Sequence, residues 1–194
     1  MKKLLVCGFE PFGGESRNPS WDVVSSLPES IGNYKIERLL LPVVFGEAAA
    51  LAIKTAESLS ADAVLCVGQA GGRSAITPEL VGINLRYAKI PDNCGNQPID
   101  EPIIEGGASA LFSTLPARKM SEAIAAAGIP SELSYTAGAY VCNDLLYTLL
   151  SHFEKSRIRV GFIHIPYSFE QGKEPCMKIS DMLTGVIEAI KSID

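Results

Sequence analysis

The sequence predicts an α/β protein with a largely parallel sheet that helices cover on both faces. Short apolar segments alternate along the chain with segments whose apolar residues recur at helical spacing, as in repeated strand–helix units. The apolar segments are continuous rather than alternating, which is typical of strands buried on both faces. A chain of 194 residues is within the size of one domain, so we expect a single domain over residues 1–194.

The first half of the chain is predicted to supply three strands and two helices. Leu4–Phe9 and Ala63–Val67 are uninterrupted apolar runs, which indicates buried strands, and Lys35–Leu41 is predicted to be a strand between them. Pro19–Leu27 is predicted to be a short helix because an Asn or Ser at its start can cap it. Phe45–Ser60 is rich in alanine at helical spacing and is predicted to be the second helix.

The second half repeats the alternation. Ile76–Leu85 alternates well enough to be a strand, and Pro116–Ala127 has the proline near its start and the glycine after its end that are typical of a helix. Asn143–Lys155 carries its leucines on one stripe, which predicts a helix packed on one face. Val160–Ile165 is predicted to be a buried strand, and Cys176–Ile193 a closing helix.

Composition and charge argue against several classes of partner. The 17 basic and 22 acidic residues give a net charge of −5, and no basic stretch offers a footprint for nucleic acid. No apolar run approaches the roughly 18–20 residues that cross a bilayer, and the apolar N-terminal segment is too short for a secretion signal. The five cysteines form no C-x-x-C pair and the chain has two histidines, so we expect no metal site and reduced thiols in the cytoplasm.

Glycine-rich or polar loops follow three of the predicted strands, at residues 9–14, 68–73 and 164–167. In open α/β sheets the ligand crevice lies beyond the carboxyl ends of the strands, so we expect the functional site there. The segment 88–104 is rich in Pro, Asn, Gly and Asp and is predicted to be a long loop. Such loops are usually functional or interfacial, although an ordinary surface excursion stays open.

A cysteine, a histidine and a glutamate are the candidate catalytic residues. Cys142 stands at the start of a predicted helix, where the helix dipole should lower the pKa of a thiol. His164 ends the strand that follows that helix and should reach the same edge of the sheet, where it could act as the base. Glu79 interrupts an apolar segment and could orient the imidazole. A buried structural thiol, a core histidine and a solvent-facing carboxylate remain the alternatives for these three residues.

Five motifs, in order and in register up to about Gln171, resemble the type I pyroglutamyl peptidases, also called pyrrolidone-carboxylate peptidases. The motifs are GFEPFGG at 8–14 with NPS at 18–20, GQAGGR at 68–73 with ITPE at 76–79, IPDN at 90–93 with GNQPI at 95–99, SYTAGAYVCN at 134–143, and FIHIPY at 162–167.

The resemblance implies a three-layer α/β/α sandwich around a largely parallel, mixed sheet of the phosphorylase or hydrolase type. It implies a cysteine peptidase that removes an N-terminal 5-oxoproline residue from peptides through a thioacyl-enzyme. The catalytic triad would be Glu79, Cys142 and His164, with no cofactor. The resemblance also implies a homotetramer, or a dimer, in the cytoplasm.

The resemblance further implies a pocket for the lactam ring. The ring is flat and uncharged, so selecting it requires an apolar slot with a few groups that match an amide. A buried polar group left without a partner would reject proline, which lacks the ring carbonyl. The residues implied for this pocket are Phe9, Phe12, Asn18, Gln69 and Val141.

The chain departs from the family pattern at two positions. Lys89 stands where many members carry an arginine proposed to support the oxyanion, so the charge is kept and the planar guanidinium is lost. Backbone N–H groups at Cys142 could still stabilise the oxyanion, and Leu80 follows Glu79 where arginine is common. Two other functions stay open: a non-catalytic module that binds pyroglutamyl peptides, and a nucleoside-phosphorylase-like enzyme on the same architecture.

Overall fold

Four parallel strands form the centre of the main sheet in the computed structural model, which describes residues 1–194. The strands of the chain are β1 (Lys2–Phe9), β2 (Ser30–Ile31), β3 (Tyr34–Leu41), β4 (Ala63–Gln69), β5 (Thr77–Pro78), β6 (Val81–Ile83), β7 (Ala110–Phe112), β8 (Arg159–Ile165), β9 (Tyr167–Ser168) and β10 (Cys176–Met177). The helices are α1 (Pro19–Ser25), α2 (Glu47–Leu59), α3 (Ala117–Ala126), α4 (Val141–His152) and α5 (Ile179–Lys191), and a short 3₁₀-helix covers Phe169–Gln171.

The main sheet has the strand order β2-β3-β1-β4-β8-β5. β3, β1, β4 and β8 are parallel to one another, whereas β2 pairs antiparallel with β3 and β5 pairs antiparallel with β8. The carboxyl ends of β1, β4 and β8 therefore lie side by side at one edge. The largely parallel, mixed sheet predicted from the sequence is confirmed.

Helices cover both faces of this sheet. Successive residues of β1 point to opposite faces: Leu4 and Val6 join one buried cluster, and Leu5 and Cys7 join the other. The first cluster takes its helical members from α1, α3 and α5, and the second from α2 and α4. The arrangement is a three-layer α/β/α sandwich, as the resemblance implied.

The start of α1 is attached to the end of β1. The Asn18 side chain accepts a hydrogen bond from the Ser20 N–H at 3.1 Å, which caps the helix, and Pro19 takes the first helical position. The Ser20 hydroxyl accepts a hydrogen bond from the Phe9 N–H at 3.0 Å. A side chain at Gly8 would come within 3.0 Å of the Ser20 carbonyl, so this close approach requires glycine.

Two predicted elements were wrong in part. Residues 76–85 form β5 and β6 rather than one strand, because the Leu80 N–H donates to the Ser134 carbonyl instead of to β8 and Val81–Ile83 then pairs with β7. Cys176 lies in β10, paired with β9, and the closing helix begins only at Ile179.

The segment 88–104 contains no helix or strand, as predicted. No helix combines the length and the apolar character that a bilayer-spanning segment requires.

Candidate active site

Cys142 is the second residue of α4, at the carboxyl edge of the sheet. Tyr140 precedes the helix as its N-cap, and its side chain makes no capping hydrogen bond to the helix. The N–H groups of Val141 and Cys142 donate to no group within the chain, whereas the next two N–H groups donate to the Tyr140 carbonyl. The helix therefore presents two unused backbone donors beside the thiol.

Gly68 on β4 neighbours both the Cys142 thiol and His164. A Cβ atom at Gly68 would lie 3.0 Å from Cys142 Sγ and 2.8 Å from the Phe162 ring, so the sulfur packs directly on the glycine backbone. His164 is the residue of β8 that pairs with Gly68, and its ring lies 4.7 Å from the Phe162 ring, centroid to centroid. Cys142 and His164 are thus both neighbours of Gly68 at the carboxyl edge of the sheet.

Glu79 is completely buried and accepts two hydrogen bonds on one oxygen. His164 Nδ1 lies 2.7 Å from Glu79 Oε1, and Arg73 Nη1 lies 2.6 Å from the same atom. Arg73 also bonds to the Thr77 hydroxyl, and its Nη2 donates to the Thr136 carbonyl at 3.0 Å. Arg73 therefore connects the carboxylate to the loop that leads into α4, a role that the motif at 68–73 did not reveal.

The protonation states of the three residues follow from burial and from Arg73. Burial raises the pKa of Glu79, but the hydrogen bond from His164, the charge of His164 and the nearby Arg73 together bring that pKa below its usual range. Burial lowers the pKa of His164, although Glu79 opposes the shift. Because an ionised carboxylate only accepts, the neutral imidazole carries its proton on Nδ1, and Nε2 is left as a base.

The Cys142 thiol does not have the lowered pKa expected from its place in the helix. Burial raises its pKa to about 12, and the negative charge of Glu79 adds to the shift while Arg73 opposes it. Removing a thiolate from water therefore outweighs the favourable end of the helix dipole. At neutral pH the resting site contains a thiol, a neutral imidazole and a carboxylate.

A small cavity opens beside the sulfur. Its lining contains Cys142 together with every residue that the resemblance implied for the lactam pocket, and two further residues that the sequence reasoning missed. Val43 follows the carboxyl end of β3, where ligand crevices are expected, so its position could have been used to find it. The lining residues are Phe9, Phe12, Asn18, Val43, Gln69, Tyr140, Val141 and Cys142.

Tyr140 connects the cavity to the long loop at 88–104. Its ring lies 6.2 Å from the Phe12 ring, and its hydroxyl donates to the Pro91 carbonyl at 3.0 Å. Asn93 of the same loop donates from its side chain to the Pro11 carbonyl at 3.0 Å and from its backbone to the Val43 carbonyl at 3.0 Å. The loop therefore packs against one wall of the cavity.

Lys89 lies outside this cavity. It is exposed and borders a neighbouring surface hollow together with Tyr87, Ile90, Ala139 and Tyr140. Tyr140 is the residue that the hollow and the cavity share. Support of the oxyanion by Lys89 stays a prediction.

A sequence model of the family described as Pyroglutamyl peptidase matches residues 2–194. The chain belongs to the pyroglutamyl peptidase family. A pyrrolidone-carboxylate peptidase of Staphylococcus carnosus is 47% identical over 201 residues, which cover 98% of this chain and 92% of the relative. A relative of the same name from Escherichia fergusonii is 51% identical over 173 residues, which cover 88% of this chain and 81% of the relative.

Solved structures of the pyroglutamyl peptidase family have the same fold. The crystal structure of Bacillus amyloliquefaciens pyroglutamyl peptidase I superposes with a TM-score of 0.95 at 42% identity, covering 100% of this chain and 97% of that chain. The pyrrolidone carboxyl peptidase from Thermococcus litoralis superposes with a TM-score of 0.95 at 35% identity, covering 100% of this chain and 93% of that chain. The family and the fold class predicted from the sequence are confirmed.

Proposed function

We propose that this chain is a cysteine peptidase that hydrolyses the amide bond after an N-terminal pyroglutamyl (5-oxoproline) residue, with Cys142, His164 and Glu79 as its catalytic triad. The observation that carries the proposal is that the Cys142 thiol lines a cavity whose other side chains are mostly apolar and include two carboxamides, which is the lining that a lactam ring requires. Membership of the pyroglutamyl peptidase family supports the same reaction.

The chemistry of the cavity supports an uncharged ring as the occupant. The lining is mostly apolar and contains no carboxylate that could pair with an α-ammonium group. Its polar groups away from the sulfur are the carboxamides of Asn18 and Gln69 and the hydroxyl of Tyr140. An amino-terminal residue with a free charged amine would lose its hydration there without a compensating ion pair, whereas a lactam would not.

The protonation states support a general-base mechanism for acylation. Neutral His164 takes the thiol proton on Nε2 while Cys142 Sγ forms a bond to the scissile carbonyl carbon. The imidazolium then protonates the departing amine nitrogen as the C–N bond breaks, which leaves a thioester. Ionised Glu79 stabilises the imidazolium through its 2.7 Å contact with Nδ1.

Deacylation uses the same groups in reverse. His164 accepts a proton from water, whose oxygen attacks the thioester carbon, and the C–S bond breaks as the proton returns to sulfur. The proposed donors to the oxyanion are the unused N–H groups of Val141 and Cys142. We propose Lys89 as an additional cation at the rim, and no step requires a cofactor or a metal ion.

Release of a fluorophore from a pyroglutamyl amide tests the proposal. We expect Cys142→Ala to abolish turnover, whereas Cys94→Ser, which changes an exposed thiol, should leave the rate within about twofold. A wild-type protein that binds the amide without cleaving it would favour the non-catalytic binding module. Phosphate-dependent release of ribose from a nucleoside would favour the phosphorylase-like alternative.

We further propose a homotetramer of one-domain subunits that acts on pyroglutamyl peptides in the cytoplasm. All five cysteines are free, which suits a reducing compartment. Several large apolar side chains lie on the surface, with Ile99, Phe112 and Tyr135 each more than 60% exposed, as expected of surfaces that pack against other subunits. Size-exclusion chromatography with light scattering measures the assembly, and a monomer at micromolar concentration would contradict this part.

A further inference from the structure

Gln171, outside the cavity, contacts one of the residues that line it. It is the last residue of the 3₁₀-helix that follows β9. Its side-chain Oε1 accepts a hydrogen bond from the Ser168 N–H at 2.9 Å, and its Nε2 donates to Gln69 Oε1 at 2.9 Å. The same Nε2 lies 3.5 Å from a carboxylate oxygen of Glu15.

The direction of these hydrogen bonds is fixed by groups that cannot be reversed. A backbone N–H only donates, so the Gln171 atom that faces Ser168 is the carbonyl oxygen. The other Gln171 atom is therefore the NH₂ group, which only donates, so Gln69 must turn its own oxygen toward Gln171. A carboxylate only accepts, and the position of Glu15 agrees with this assignment. The Gln69 NH₂ group is left without a partner in the chain, on a residue that lines the cavity.

We propose that Gln171 is a specificity-determining positioning residue, because it holds the Gln69 carboxamide with its NH₂ group free to donate to the ring carbonyl of the substrate. This inference rests on the proposed function. The ring carbonyl is the group that distinguishes a pyroglutamyl residue from a prolyl residue, and it accepts but does not donate. A reversed Gln69 would oppose this carbonyl with a second oxygen and reject the lactam.

Two substitutions at Gln171 separate orientation from packing. Gln171→Met keeps the length of the side chain and removes both hydrogen bonds, so Gln69 becomes free to rotate. Gln171→Glu still accepts from Ser168 but places a second acceptor against Gln69, which favours the reversed carboxamide. Lys173→Met is the matched control, because it breaks the neighbouring ion pair with Glu15 on the same segment without contacting Gln69.

Steady-state kinetics with a pyroglutamyl amide should rank the Gln171 and Lys173 variants by KM. The ring contact is remote from the bond that breaks and is present before and during the reaction, so its loss should raise KM and leave kcat within about twofold. We expect KM to rise roughly 5- to 10-fold in Gln171→Met and roughly 30-fold or more in Gln171→Glu, with wild-type values in Lys173→Met. The preference for the pyroglutamyl amide over the prolyl amide should fall in the same order.

Three results would overturn the inference: a KM of Gln171→Glu within threefold of the Lys173→Met value, a loss confined to kcat, or an unchanged preference over the prolyl amide. Thermal unfolding midpoints check that the variants are folded, and if Gln171→Glu does not fold, Gln171→Met against Lys173→Met decides. A wild-type protein that cleaves no pyroglutamyl amide would overturn the proposed function itself, which the Gln171 variants alone cannot do.

Discussion

Arg73 provides the sharpest test of the electrostatics at the catalytic centre. The perturbation is Arg73→Gln, which removes the positive charge beside Glu79 while leaving the three residues of the proposed triad in place. Arg73→Lys is the matched control, because it keeps the charge and loses the planar guanidinium that contacts Glu79, Thr77 and Thr136 together.

The structure sets the size of the expected effect. The guanidinium donates to Glu79 Oε1 at 2.6 Å, and Glu79 is completely buried while the Arg73 side chain is 28% exposed. A hydrogen bond to a charged group is worth about 1.5–3 kcal/mol, which corresponds to a fall of about 10- to 150-fold in kcat/KM. The exposure of Arg73 favours the lower half of that range.

The direction of the change with pH follows from the charge of Arg73. Its charge lowers the pKa of both Glu79 and His164, so its removal should raise both values. The proposed mechanism needs ionised Glu79 and neutral His164, so the acid limb of the kcat/KM profile should move to higher pH, by about one unit for each 1.36 kcal/mol lost. Arg73→Lys should show a smaller shift. An acid limb of Arg73→Gln that stays within 0.3 unit of wild type, or that moves to lower pH, would refute this reasoning.

Two further predictions concern packing and stability. Gly68→Ala places a methyl group 3.0 Å from Cys142 Sγ and 2.8 Å from the Phe162 ring, so we expect kcat to fall by about 100-fold or more, while circular dichroism should show a folded protein. The Lys2 ammonium, together with hydrogen bonds from Tyr34 and Asn33, lowers the pKa of Asp194 to about 2, so this carboxylate stabilises the fold above its ordinary pKa near 4, and the contribution is lost as the pH falls toward 2. Asp194→Asn should therefore flatten the acid unfolding curve below pH 4, and an unchanged curve would contradict the assignment.

The sequence predicts the edge of the sheet at which Cys142 and His164 lie, because the topology of a parallel sheet constrains it. Cys142 precedes a helix and His164 ends the strand after it, and in an αβ unit such positions return to the same edge. Gly68, which the Cys142 sulfur contacts, lies beside His164 because β4 and β8 pair in parallel register. The order of these elements along the chain thus predicts that Cys142 and His164 lie at the same edge of the sheet.

The remaining features depend on contacts that no local pattern encodes. The pairing of Val81–Ile83 with β7 removes them from the main sheet, and their apolar alternation does not specify which strand they pair with. Arg73 contacts Glu79 six residues further along the chain, and Gln171 contacts Gln69 at a separation of 102 residues. Neither contact follows from a helix or strand period.

The raised pKa of Cys142 shows how position and burial oppose each other at the nucleophile. The helix start favours a thiolate, but the half-buried Cys142 sulfur packs against Gly68, and the cost of placing a charge there is the larger effect. A resting thiol reacts slowly with alkylating and oxidising agents, because the thiolate is the reactive form. In the proposed mechanism His164 activates the thiol, because burial lowers the pKa of His164 and leaves it neutral and able to accept the proton. Burial therefore has two effects at this site: it disfavours the Cys142 thiolate, and it keeps His164 neutral.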